Sequence, residues 1–91
     1  MTIDVNSPKA HNLELQLREI ICQLTSLPAE FDPAAHLYLD LGVASLYALQ
    51  LLTEIEERFG IHVPDEEFVE ATSLAKMTDL VQRLAGEALK K

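Results

Sequence analysis

Residues 40–59 read DLGVASLYALQLLTEIEERF, and the reading of this stretch decides the fold. Leu46, Leu49, Leu52, Ile55 and Phe59 recur at spacings of three and four, which at about 3.6 residues per turn draws an apolar stripe along a helix. Ser45 stands where that helix opens, Glu54 precedes Arg58 by the four residues of a helical ion pair, and Gly60 supplies a terminator. The spacing therefore predicts a helix over 45–59 whose first residue is a serine at the end of an extended loop.

Upstream, LPAEFDPAAHLYLDLGVA (27–44) holds two prolines and one glycine but also Phe31, Leu37, Leu39, Leu41 and Val43, so it reads as a long connection pinned to the core. Before it, Leu13, Leu17, Ile20, Leu24 and Leu27 keep helical spacing, and Ser7 followed by Pro8 is a start signal, which predicts a helix over 8–26 after a disordered 1–7. Leu15 and Cys22 fall on its opposite face, where isolated apolar side chains usually carry no role. Downstream, Ile61 and Val63 alternate too briefly before Pro64 for a strand. Asp65, Glu66 and Glu67 suit the positive end of a short helix over 65–70, with Phe68 and Val69 facing inward. Thr72 or Ser73 then caps a last helix over 73–89, striped by Leu74, Met77, Leu80, Val81, Leu84 and Leu89 and closed by Lys90 and Lys91. The expected fold is all-α: one domain over 1–91, a small four-helix bundle of three long helices and one short, with a long loop between the first two.

Composition narrows the function. In 91 residues of which 48% are apolar, no apolar run approaches the length of a membrane span, and a chain this short buries only about 60% of its unfolded surface. That leaves little volume for a deep catalytic pocket, and a non-catalytic role is expected. Fifteen acids against seven bases, a formal charge of −8, repel nucleic acid and anionic membranes and suit a basic protein partner. The single cysteine, and an opening MTIDVNSPKAHN without the basic start and apolar run of a secretory signal, read as a cytosolic protein. A monomer is expected.

Chemistry-bearing constellations are sparse. His11, His36 and His62 lie far apart, none at helical ligand spacing from another or from Cys22, so no metal site is expected. The carboxylates at Glu54, Glu56 and Glu57 and at Asp65 to Glu67 read as solvated surface. No glycine-rich phosphate loop occurs, and Ser45 lacks the base and orienting acid of a serine hydrolase. On the residues alone, Ser45 reads as a helix cap and Gly42 as a turn.

The stretch from Leu37 to Leu84, with the first helix, resembles the acyl and peptidyl carrier proteins. Asp40, Leu41, Gly42, Ser45 and Leu46 match that family's D-L-G-x-D-S-L motif, and EERFGIHVPDEE (56–67) resembles its later E-x-x-F-x-[IV]-x-[IV]-P-D-E segment. The resemblance implies that Ser45 bears a covalent 4′-phosphopantetheine arm derived from coenzyme A, with Asp40, Gly42 and Leu46 around it. The chain would then be a substrate of a phosphopantetheinyl transferase and of an acyl- or aminoacyl-loading ligase, would serve a downstream synthase or transferase with a basic docking surface, and would not itself be an enzyme. Tyr47, Gln50 and Leu51 would present an uncharged docking surface, and Glu54, Glu56, Glu57, Asp65 and Glu66 a charged one. Two departures matter. Ala44 stands where the family carries an aspartate that helps the transferase engage, which leaves an unmodified structural or adaptor subunit as the alternative. Gln50 resembles the corresponding turn of aminoacyl carriers, so the cargo stays open between a fatty acyl chain, a polyketide intermediate and an amino acid.

Overall fold

The computed structural model describes the backbone of residues 6–90 and the side chains of 12–86. Four helices follow in order: α1 (Asn6–Thr25), α2 (Tyr47–Phe59), α3 (Asp65–Phe68) and α4 (Leu74–Lys90), with no strand among the described residues. α1 packs against both α4 and α2, and the short α3 leans on α4. The all-α bundle with a long first connection is thus the observed architecture. The disorder expected over 1–7 falls partly on residues 1–5, outside the described residues; Asn6 and Ser7 already belong to α1. The side chains of Ser7, His11, Leu89, Lys90 and Lys91 lie outside the described residues.

The core is built from the helical stripes and from residues of the connections between them. Leu17, Ile20 and Ile21 of α1 meet Leu51 and Ile55 of α2 and Leu74, Met77, Leu80 and Val81 of α4, while Phe31 and Leu37 descend from the long loop and Val63 and Phe68 from the region of α3. The loop is held at both ends. The Arg18 guanidinium donates to the carbonyls of Ala29 (2.8 Å) and Phe31 (2.7 Å) and lies over the Phe31 ring, and the Leu37 N–H donates to the Thr72 carbonyl at 2.8 Å. At the start of α4, Ser73 Oγ accepts the Lys76 N–H, the expected cap.

Helix ends follow local backbone chemistry. Gly60 closes α2 in the left-handed conformation, φ 65°, with its N–H on the Glu56 carbonyl. Ser26 closes α1 the same way at φ 67°, although it carries a Cβ. α1 therefore stops at Thr25, one residue before the expected end, because Ser26 leaves helical dihedrals.

Several side chains differ from the sequence expectation. Leu46 and Leu49, placed in the buried stripe of α2, are each 71% exposed, whereas Leu51, expected on the surface, is 4% exposed. Val69 and Leu39, expected inward, are exposed as well. The reason at α2 is geometric: the face toward α1 is centred on Ile55 with Ala48, Leu51, Leu52 and Phe59, and α3 is too short to cover the neighbouring edge. Arg58 reaches Glu19 of α1 at 3.4 Å rather than pairing with Glu54.

Candidate functional site

The long loop arrives at Ser45 through two constraints. Gly42 takes φ 75°, a left-handed conformation that a side chain disfavours, and a Cβ there would meet nothing within 4 Å, so the glycine serves the backbone path rather than close approach. The Val43 N–H then donates to the Leu37 carbonyl at 2.9 Å, which anchors the segment two residues before the serine.

α2 begins at Tyr47, not at Ser45. The chain enters it through a tight turn in which the N–H groups of Tyr47 and Ala48 donate to the carbonyls of Ala44 and Ser45, both at 3.0 Å. Ser45 is thereby left just outside the helix. Its side chain is exposed, and its hydroxyl caps nothing: no residue among those described hydrogen-bonds to it. The N–H groups of Ser45 and Leu46 likewise have no partner among the described residues. With no acid in the first turn of α2, these free amides and the positive helix end favour an anion at the serine.

Beside Ser45 opens a groove of about 460 Å³ between α2 and α3, walled by Leu46, Ala48, Leu49, Leu52, Phe68 and Val69, with Asp65 at its rim. The exposed Leu46, Leu49 and Val69 make its lip apolar. The sequence reading missed this feature because it assigned the same three residues to the core. A larger depression of about 600 Å³ lies on the outer face of α1 around Leu15 and Cys22, with Asn12, Gln16, Arg18, Glu19 and Gln23 around it and without Ser45. Burial there pushes the Cys22 thiol up from its ordinary value, with Arg18 opposing the shift and Glu30 adding to it.

The other residues singled out from sequence fall into three groups. Asp40 supports the loop, its carboxylate accepting the His36 N–H at 2.9 Å. Gln50, Glu54, Glu57, Asp65 and Glu66 are exposed and Tyr47 is half-buried, all on α2 and α3. Glu56 does something else: its carboxylate turns toward the α2–α3 connection and accepts the Val63 N–H at 2.9 Å, with His62 Nδ1 at 3.4 Å.

A family model for the phosphopantetheine attachment site matches residues 15–81, which contains α2, α3, the long loop and Ser45. Two curated acyl carrier proteins, from Rickettsia bellii strains OSU 85-389 and RML369-C, are each 50% identical over 42 residues. That stretch is 46% of this chain and 48% and 45% of theirs, so the chain spans about half the length of the curated relatives it matches. Clavatol synthase claF of Penicillium crustosum is 27% identical over 84 residues, 91% of this chain and 3% of that protein.

Proposed function

This chain belongs to the phosphopantetheine-attachment-site family, and from that premise we propose that it is a stand-alone acyl carrier protein with Ser45 as the point where its arm is joined. The family is one of carriers rather than catalysts, and membership implies a covalently attached 4′-phosphopantetheine group. The observation that carries the assignment to Ser45 is its hydroxyl: exposed, without a partner among the described residues, and set beside free amides at the positive end of α2. A serine serving only as a cap would accept the N–H of Tyr47 or Ala48 with its side-chain oxygen, and those two groups go to backbone carbonyls instead.

The residues present suit the group. Ser45 Oγ would become the bridging oxygen of a phosphodiester, formed as the pyrophosphate linkage of coenzyme A breaks and the nucleotide leaves. Among the described residues no titratable side chain hydrogen-bonds to Ser45, so on this reading the transferase supplies the base that takes its proton. The bound group supplies a thiol that holds cargo as a thioester. The apolar groove under Leu46, Leu49 and Val69 suits the hydrocarbon part of an acyl cargo.

Docking on this reading uses the exposed acids Glu54, Glu57, Asp65 and Glu66 against Lys and Arg of a transferase, a loading ligase and a downstream synthase, with Tyr47 and Gln50 at the uncharged end of α2. The cargo belongs to fatty-acid, polyketide or related specialised biosynthesis. The protein acts as a monomer in the cytosol. The test is incubation of the purified chain with coenzyme A and a broad-specificity phosphopantetheinyl transferase, followed by intact mass. One added phosphopantetheinyl group on the wild type and none on Ser45→Ala is the expected result; a bare wild type would favour the unmodified adaptor.

A further inference from the structure

The turn that precedes Ser45 is closed by an imidazole. The Nδ1 of His36 accepts the N–H groups of Tyr38 (3.2 Å) and Leu39 (3.0 Å), the His36 N–H donates to Asp40 Oδ2 (2.9 Å), and the His36 carbonyl accepts the N–H groups of Asp40 (2.9 Å) and Leu41 (3.0 Å). This is reciprocal capping of a single helical turn, with histidine in the position usually taken by serine or threonine. Its effect reaches Ser45 through the backbone. Leu37, inside the turn, is seated in the core by its bond to Thr72, and its carbonyl holds the Val43 N–H. Among the described residues no side-chain hydrogen bond forms over 41–46, so these backbone bonds, together with the left-handed Gly42 and the packing of Leu41 and Val43 on the core, fix the path to the serine.

We propose that His36 and Asp40 are positioning residues that clasp the Ser45 loop, and that the clasp opens when His36 is protonated. An imidazole nitrogen accepts hydrogen bonds only through its lone pair, so the closed turn holds its proton on Nε2 alone. A second proton at Nδ1 turns the acceptor into a donor facing two N–H groups, and both bonds are lost. The groups around His36 do not replace them. Asp40 places Oδ2 on the His36 N–H, Asp32 in the same loop accepts the Ala34 N–H, and the Tyr38 ring stands edge-on at 5.8 Å; none of these groups is bonded to the Tyr38 or Leu39 N–H. The start of α4 meets this loop through backbone groups, the Thr72 carbonyl and the Ala75 N–H on the Pro33 carbonyl; the adjoining Lys76 places its own N–H on Ser73. Acidification would therefore loosen the serine loop within the carrier itself, whatever it does to the enzymes that act on it. This functional consequence rests on Ser45 as the attachment point; the clasp does not.

Amide hydrogen exchange of the full chain, with the His36 ring resonances followed in parallel, tests it. On acidification through the ordinary imidazole range, the protection factors of Tyr38 and Leu39 should fall about tenfold or more as the His36 ring signals report protonation, Val43 following and Gly60 serving as the unaffected reference. His36→Asn, whose amide oxygen is a cap acceptor that does not titrate, should hold protection across that range, and the wild-type to His36→Asn ratio of Ser45 modification rates should drop on acidification. Protection of Tyr38 and Leu39 that is unchanged while His36 titrates, or an equal fall in His36→Asn, would overturn the proposal. A clasp that opens as described in a chain the transferase leaves bare would instead overturn the assignment of Ser45.

Discussion

The carboxylate of Glu56, on the last turns of α2, accepts the backbone N–H of Val63 at 2.9 Å, seven residues further along the chain. The same residue's carbonyl accepts the N–H groups of Gly60 and Ile61, so one glutamate organises the whole turn from α2 toward α3. Val63 is buried, and its N–H would otherwise face the interior with no acceptor. Glu56 thus holds the far wall of the groove in place. Glu56→Ala is expected to cost about 1–2 kcal/mol of unfolding free energy, by urea titration, while Glu54→Ala and Glu57→Ala stay within about 0.5 kcal/mol.

The two kinds of leucine on α2 should separate in the same assay. Leu51→Ala, in the core, is expected to cost about 2–5 kcal/mol, whereas Leu46→Ala and Leu49→Ala, both at the groove, should change stability by no more than about 0.5 kcal/mol. A large loss at Leu49 would place it in the core after all.

These leucines also mark how far the sequence could be read. Helical spacing located α1, α2 and α4, and Gly60 located the end of α2. Four leucines over 46–52 left the buried face of α2 ambiguous. Measured from Ile55 at about 100° per residue, Leu51, Leu52, Ala48 and Phe59 cluster within a narrow arc, while Leu49 lies roughly a third of a turn away and Leu46 roughly half a turn away. The motif singled out Ser45, but its position outside the helix was not readable, because the tight turn over 44–48 depends on how the loop is anchored at Leu37 and Val43. The inward role of Glu56 was hidden for the same reason: the acceptor and its N–H are set together only by the fold.

The left-handed residue at the end of α1 offers a gain. Ser26 sits at φ 67° with a side chain that disfavours it, so Ser26→Gly should raise the unfolding free energy by about 0.5–1 kcal/mol, and Gly60→Ala, at φ 65°, should lower it by about 1 kcal/mol.

Stability should fall on the alkaline side. Burial pushes both the Cys22 thiol and the Tyr38 phenol above their ordinary values of 9.0 and 10.0. Both groups ionise first in the unfolded chain, so their contribution is complete below those values and is lost as pH rises through the folded ones. Thermal melts across that range should show a decline that is shallower in Tyr38→Phe than in the wild type; identical slopes would remove Tyr38 from the account.

Docking through exposed acids predicts sensitivity to salt. The KM of a phosphopantetheinyl transferase for this carrier should rise as ionic strength is raised, and the rise should be smaller for the Glu54→Gln, Glu57→Gln double variant. A KM indifferent to salt would shift the docking to the apolar lip at Leu46 and Leu49.

The most direct measurement is the mass of the protein purified from its own host, with fragmentation of the peptide that spans Ser45. The account predicts one phosphopantetheinyl group, located on Ser45, and its absence from Ser45→Ala expressed in the same host. A group located on any other residue, or a wild-type chain that stays unmodified there and also with added transferases, would contradict it.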